Sequence, residues 1–411
     1  MTRRTLVVIG HGMTGHRLVE EIRSRDHDGA WRVVVLGAER HPAYDRVRLS
    51  SALDGTTPSA LSLVKPALYE DPLVELRTGT RVTGIDRAAR TVALDGGGTL
   101  GYDALVLATG SIPFVPPVPG KDLPGVCVYR TLDDLDAIRE TATGTTTGVV
   151  IGGGLLGLEA ANGLRLLGLV PHVVEMAPRL MPVQVDEGGG RVLDRLVRRL
   201  GVTTHLGVAT SHIEAGPDGR VARLVFADGT SIETGLVVFS AGVRPQDALA
   251  EPAGLPRGER GGFLVDDRCR TEDPYVWAIG ECAAVEGRCY GLVAPGYRMA
   301  EAVASQLVGE GATRFPGADM STKLKLMGVD VASFGDAHAQ TPGALEFVRE
   351  TAGGDVYAKL VLDPDGESLL GGILAGDATA YPRLRSLLGR ELPAAPDTLL
   401  AEAEAEAAAA A

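Results

Sequence analysis

The chain changes its hydrophobic period within its first 25 residues. Leu6 to Ile9 is continuously apolar, as in a strand buried on both faces, and the run ends in Gly10, Gly12 and Gly15. Leu18, Val19 and Ile22 then stand with Gly15 at i, i+3, i+4 and i+7, the spacing of one buried helix face. The pattern predicts strand, tight turn, helix. It predicts a second strand over Arg32 to Leu36, with Glu39 just beyond. Arg81 to Tyr102 alternates and turns at Asp95-Gly96, as a hairpin does, and Tyr102 to Gly110 reads as a strand ending in small residues.

The same order of elements then returns. Pro113, Pro116, Pro117, Pro119 and Pro124 make a stiff connector. Beyond it come a strand (Gly148 to Ile151), a second glycine set (Gly152, Gly154, Gly157) and a helix face of Ala160, Gly163, Leu164 and Leu167. A further strand, Pro171 to Val174, leads to Glu175; Val221 to Phe226 turns at Asp228-Gly229; and Leu236 to Gly242 echoes residues 104–110. One domain type is therefore expected twice. Tyr275 to Ile279 reads as a strand ending at Gly280-Glu281, followed by a helix from about Tyr297 to Val308. From residue 320 a smaller α+β unit is expected, with strands Val356 to Leu362 and Leu369 to Leu374 about a turn at 363–366. Residues 401–411 contain only Ala and Glu and offer no apolar face, so a helical tail is expected.

Each glycine set has the G-x-G-x-x-G spacing. Gly10 permits the turn, Gly12 removes a side chain from the path of a pyrophosphate, and Gly15 lets helix and strand pack closely, leaving phosphate over free helix N–H groups. Glu39 is placed for the 2′- and 3′-hydroxyls of an adenosine ribose. Gly152, Gly154, Gly157 and Glu175 repeat the set. Residues 41–51 read as a loop, in which Arg46 and Arg48 put guanidinium groups near the first phosphate position. Glu281, at a strand end, is placed to face a ligand. Two such modules suit one tightly held flavin dinucleotide and one exchanging nicotinamide dinucleotide, because hydride transfer requires the two in contact.

Bulk properties narrow the picture further. A length of 411 residues implies about two or three domains. A net charge of −13 argues against nucleic acid or an anionic membrane surface as a partner. No apolar stretch approaches the ~20 residues of a membrane span, so a cytoplasmic protein is expected. Cys127, Cys269, Cys282 and Cys289 show neither C-x-x-C nor metal-ligand spacing; they read as bystanders in a reducing compartment, and no metal site is expected. The chain has five lysines, and Lys323 and Lys325 would share one face of a strand. That face could steer an acidic electron carrier.

These residues resemble the two-dinucleotide flavoprotein reductases, the family of ferredoxin, rubredoxin and glutathione-type reductases. Y-D-R-V-R-L-S-S at 44–51, G-G-G-L-L-G-L-E-A-A at 152–161, Y-G-L-V-A-P-G-Y at 290–297 and S-T-K-L-K-L-M-G-V-D-V-A-S-F-G-D at 321–336 are similar to the flavin portion of assimilatory NAD(P)H nitrite reductase large subunits. The resemblance implies FAD contacts from Gly10, Gly12, Met13, Thr14, Gly15, Glu39, Arg46, Val82, Ala108, Thr109, Gly110, Arg130, Gly280 and Glu281. It implies NAD(P)H contacts from Gly152, Gly154, Leu155, Leu156, Gly157, Glu175 and Gly242. It also implies an acid near the nicotinamide, for which Glu159 is the candidate.

The implied fold is α/β, with two Rossmann-like dinucleotide-binding domains, the NAD domain inserted in the FAD domain, and a small C-terminal α+β domain. The boundaries expected are 1–115 with 236–315 for FAD, 116–235 for NAD(P)H, 316–395 for the C-terminal domain and 396–411 for the tail. Three departures bear on function. The cysteine-held iron–sulfur and sirohaem parts of nitrite reductase have no counterpart here, residues 40–60 lack the cysteine pair of disulfide reductases, and Ser51 stands where many relatives carry lysine. The expected activity is electron transfer from NAD(P)H, with NADH favoured because Glu175 would repel a 2′-phosphate. The route runs through FAD to an external acceptor, such as a nitrite or nitrate reductase component or a biosynthetic metalloenzyme. The alternatives are an oxidase using oxygen or a small molecule, and a slow NADH-sensing binding protein. A homodimer is compatible with the resemblance.

Overall fold

The computed structural model describes residues 3–311, 313–326 and 328–401. The chain forms two compact units, the described residues of Met1–Ile112 with Val243–Ala318, and those of Pro113–Gly242 with Asp319–Ala411.

In the first unit five parallel strands run in the order Val276–Ala278, Ala104–Leu107, Arg4–Ile9, Trp31–Leu36, Val74–Arg77. The central strand aligns Val7 with Val34 on one side and Val8 with Val106 on the other. Continuous apolar strands of this kind suit a sheet covered on both faces, and Leu6, Val7, Val8, Val33, Val34, Leu105 and Val106 are fully buried. The first glycine helix, Met13–Arg25, buries Leu18, Val19 and Ile22 and packs against Val293–Val308. A three-stranded antiparallel sheet, Val82–Asp86, Thr91–Leu94 and Thr99–Gly101, supplies the expected hairpin. The stretch read as a loop becomes a kinked 3-10 helix, Arg46–Asp54, with the Asp45 carboxylate accepting from Val47 N–H at 3.1 Å.

The second unit repeats this plan. Its parallel sheet runs Thr203–Leu206, Val170–Glu175, Thr147–Ile151, Leu236–Phe239, Val126–Val128. Its antiparallel sheet is Thr210–Ala215, Val221–Phe226 and Ser231–Glu233.

Here the expected boundaries need correction. Leu236–Phe239 pairs with the central strand, Val149 opposite Val237, because a four-residue apolar strand can be buried on both faces only inside a sheet. The chain therefore leaves the second module after Gly242 rather than at 235, and enters it at Pro113 rather than 116.

The C-terminal residues form an antiparallel sheet, Thr322–Leu326, Val329–Gly335, Leu369–Gly376, Tyr357–Leu362, Leu345–Glu350, with a core around Phe334, Leu360, Leu374 and Leu384. It belongs to the second unit, because the helix Glu187–Arg199 lies directly on its strands. Gly188 and Gly189 make that approach possible. An added Cβ would stand 2.3 Å from the Tyr357 ring at Gly188 and 3.3 Å from Ile373 at Gly189.

The tail boundary also moves. Residues 396–401 are helical, with Leu399 and Leu400 buried, and Leu400 joins the C-terminal core. Residues 402–411 of the expected Ala/Glu tail lie outside the described residues. Lys323 is exposed on the edge strand, and the side chain of Lys325 lies outside what is described.

Candidate functional site

The two glycine turns are built alike, each glycine for a separate reason. Gly10 has φ +111°, and a Cβ there would lie 2.1 Å from the Ala108 carbonyl oxygen. Gly152 has φ +118°, with 2.3 Å to the Ser240 carbonyl oxygen. A side chain would be strained at both positions and would collide with the neighbouring strand. At Gly15 and Gly157 a Cβ would fall 2.2 Å and 1.9 Å from the carbonyl oxygens of Gly10 and Gly152, so these two glycines permit helix and turn to touch.

Gly12 and Gly154 differ from all four. Nothing lies within 4 Å of a Cβ at either position, and each is the N-cap of its helix without a side-chain cap. Two helix N-termini thus present free N–H groups beside open space. That is the cradle a dinucleotide pyrophosphate requires, and a Cβ would narrow it.

An acid follows each turn at the end of the next strand. The Glu39 carboxylate accepts from the Tyr44 hydroxyl at 2.8 Å and from Arg46 at 2.6 Å, with the Arg46 guanidinium 4.8 Å from the Tyr44 ring centre. Glu175 accepts from Gly153 N–H at 2.7 Å and Ala177 N–H at 2.8 Å, which fixes it against its own glycine turn.

Of the other expected residues, Ala108 to Gly110 and Gly280-Glu281 follow two strands of the parallel sheet, whereas Val82 begins the antiparallel one. Ala108 and Val82 are buried, Thr109 Oγ1 donates to the Gln246 carbonyl at 2.5 Å, and Ser111 Oγ donates to Glu281 at 2.9 Å. Gly280, at φ +76°, and Gly296 leave a niche filled by Thr14, since a Cβ on them would lie 3.0 and 2.6 Å from Thr14 Oγ1. Gly110 and Gly242 both have positive φ with open space where a Cβ would be. Met13 is the first residue of its helix; Leu155 and Leu156 open the second helix and are partly exposed. Arg130 belongs to the second unit, where its N–H donates to Asp134 at 3.1 Å.

Glu159, within the second helix, makes no hydrogen bond or ion pair with another described residue, and burial pushes its carboxyl up to about 7. A half-buried acid poised near neutrality can hold or yield a proton at the second glycine turn.

Sequence reading missed two clusters. His11 and His16, both buried, form a hydrogen-bonded group with the half-buried Tyr69 behind the first turn. Lys359, 3% exposed, pairs with Asp186 at 3.3 Å and with Glu346. A histidine inside the glycine fingerprint was the only local signal for either. Among the described residues, no group of three or more His, Cys, Asp or Glu side chains could hold a metal ion, and no helix is long and apolar enough to cross a membrane. Cys269 and Cys282 are buried thiols, and all four cysteines are free.

A family model described as pyridine nucleotide-disulphide oxidoreductase matches residues 4–306. The chain belongs to that family. Residues 321–392 match a second model, the rubredoxin NAD+ reductase C-terminal domain. The chain is 52% identical to a nitrite reductase [NAD(P)H] large subunit from Klebsiella oxytoca over 97% of its own length, but covers only 42% of that relative. It is 32% identical to a rubredoxin-NAD(+) reductase from Alcanivorax borkumensis, covering 95% of this chain and 98% of that one. A ferredoxin reductase structure from Rhodopseudomonas palustris superposes with a TM-score of 0.83 at 29% identity, covering 95% and 96% of the two chains. The chain thus spans less than half the length of the nitrite reductase relative and nearly the whole of the two stand-alone reductases. Family membership makes it an NAD(P)H oxidoreductase that binds FAD.

Proposed function

We propose that the chain is an NADH-dependent flavoprotein reductase that passes electrons through FAD to a separate acceptor protein. One observation carries the reading: two uncapped helix N-termini, one per unit, each opens onto free space at a glycine turn with an acid at the next strand end. Nearly full-length likeness to reductases named for rubredoxin and ferredoxin supports a protein acceptor.

In this reading the N–H groups following Gly12 take the pyrophosphate of FAD and Glu39 the adenosine ribose, while Thr14, Val82, Ala108, Thr109, Gly110, Gly280 and Glu281 line the rest of the site. Arg46, held by Glu39, lies beside the phosphates. Bound there, FAD supplies acceptance of a hydride and release of single electrons.

The second turn takes NADH, with Gly154, Leu155 and Leu156 at the pyrophosphate, Glu175 at the ribose and Gly242 across the sheet end. Glu175 disfavours a 2′-phosphate. Arg179, the cation closest in sequence, is anchored by donating to the Val185 carbonyl at 3.0 Å, which supports NADH over NADPH. Glu159, which burial raises to about 7, is the acid we place near the nicotinamide; hydride transfer itself needs no general acid.

Steady-state NADH oxidation tests the proposal. Fast turnover with ferricyanide and with a rubredoxin or ferredoxin, and slow turnover with oxygen alone, is expected. Fast turnover with oxygen alone makes the protein an oxidase, and slow turnover with every acceptor makes it a sensor.

A further inference from the structure

His11 stands between Gly10 and Gly12 and is 8% exposed. Its Nδ1 accepts the Ala43 backbone N–H at 3.1 Å, and its Nε2 lies 2.5 Å from the Tyr69 hydroxyl. That hydroxyl is 3.0 Å from Nδ1 of His16, which is 3% exposed on the first glycine helix. A backbone N–H can only donate, and this fixes every proton in the group. His11 Nδ1 carries no proton, so Nε2–H must donate to Tyr69. Tyr69 has one proton, which goes to His16 Nδ1, leaving the His16 proton on Nε2. That Nε2 makes no full hydrogen bond and lies 3.9 Å from Glu20. The chain of donors runs one way.

The group spans the parts of the first site. Ala43 precedes Tyr44, which with Arg46 holds Glu39, and the Ala43 carbonyl accepts from Leu63 N–H at 3.0 Å. On the other side, the His11 Cβ packs over Gly37, where an added Cβ would lie only 3.1 Å from it. We propose that His11, Tyr69 and His16 form a one-way hydrogen-bond relay that holds the Gly10–Gly12 turn in register with the Glu39–Arg46 segment. The relay thereby sets how tightly the first unit keeps the adenosine diphosphate half of FAD. The inference rests on the reading of this unit as the FAD site; the three side chains act as positioning residues.

The relay has a pH dependence of defined origin. Burial and the neighbouring His16 hold His11 well below its ordinary value, at about 3, so His11 stays neutral. Burial also lowers His16, against the pull of Glu20, with Lys65 paired to Glu20 at 3.3 Å. Once His16 takes a proton on Nδ1, Tyr69 has nowhere to donate and the relay opens.

The test follows FAD release from the full-length holoenzyme by the fluorescence of the free flavin, with dissociation constants measured across pH. Tyr69→Phe and His11→Leu are expected to weaken FAD about tenfold or more, the worth of one to two hydrogen bonds, without changing NADH affinity. His11→Asn, which can still accept from Ala43 but no longer reaches Tyr69, is expected to lose less than His11→Leu and about as much as Tyr69→Phe. Wild-type affinity should fall on acidification, and His16→Asn, which accepts but does not titrate in this range, should flatten that profile.

An unchanged FAD constant in Tyr69→Phe, or an identical pH profile in His16→Asn, overturns the relay. If Tyr69→Phe does not fold, the His16→Asn profile decides. Gly12→Val separates the two layers: loss of FAD there with no effect of Tyr69→Phe refutes the relay alone, whereas retained FAD refutes the assignment of the site.

Discussion

Replacing Gly154 by valine should separate ligand binding from folding in the second unit. Gly154 has φ −79° and ψ −176°, an extended conformation open to any residue, and no atom lies within 4 Å of a Cβ built there. The fold should lose under about 1 kcal/mol, the difference between glycine and valine at an N-cap. The ligand should lose far more. An isopropyl group beside the uncapped N–H groups denies a pyrophosphate one or two charge-assisted hydrogen bonds at about 1.5–3 kcal/mol each, or roughly one to four orders of magnitude in affinity. Gly157→Ala is the opposite case. Its Cβ would lie 1.9 Å from the Gly152 carbonyl oxygen, so the helix must move at a cost of about 1–3 kcal/mol of stability. The assay is NADH titration by fluorescence, paired with chemical denaturation of the same samples. Full NADH affinity in Gly154→Val would refute the cradle, and a stability loss matching that of Gly157→Ala would refute the geometric argument.

Other consequences are equally measurable. NADH should exceed NADPH in kcat/KM by at least about tenfold, and equal values would show that Glu175 does not read the ribose. Glu159 holds its proton to about pH 7 in the folded chain but only to its ordinary 4.5 when unfolded. Stability should therefore fall as pH rises from about 4.5 to 7 and level off above. Glu159→Gln should remove this slope in melting-temperature profiles, and an unaltered slope would place its origin elsewhere. Lys359→Met leaves Asp186 and Glu346 without their cation at a 3% exposed position, and should destabilise the second unit by about 2–4 kcal/mol in denaturant unfolding; a change below about 0.5 would count against the pair.

The build of the two glycine turns was legible in the sequence because it is local. In each module the glycine spacing, the flanking apolar strands and the acid at the second strand's end lie within about 35 residues of one another, and each constrains a neighbour in the chain. The boundary at 236 misled because an apolar strand ending in a small residue and glycine occurs in both modules, so only its pairing tells which sheet owns it. The helix Leu132–Ala142 carries a readable signal, a capping box between Thr131 and Asp134. The helix Glu187–Arg199 does not, because Gly188, Gly189 and Gly190 argue against helix locally. Their reason is tertiary: Tyr357, Ile373 and the Arg179 side chain press against them. The relay was hidden for the same cause, with Tyr69 standing 58 residues from His11.

Anaerobic titration of the purified chain with NADH, followed through the absorbance of oxidised flavin, tests the central claim most directly. The protein should hold about one FAD, lose its colour with about one equivalent of NADH, and regain it when an oxidised rubredoxin or ferredoxin is added. A colourless protein, or a bound flavin that NADH leaves oxidised, would contradict it.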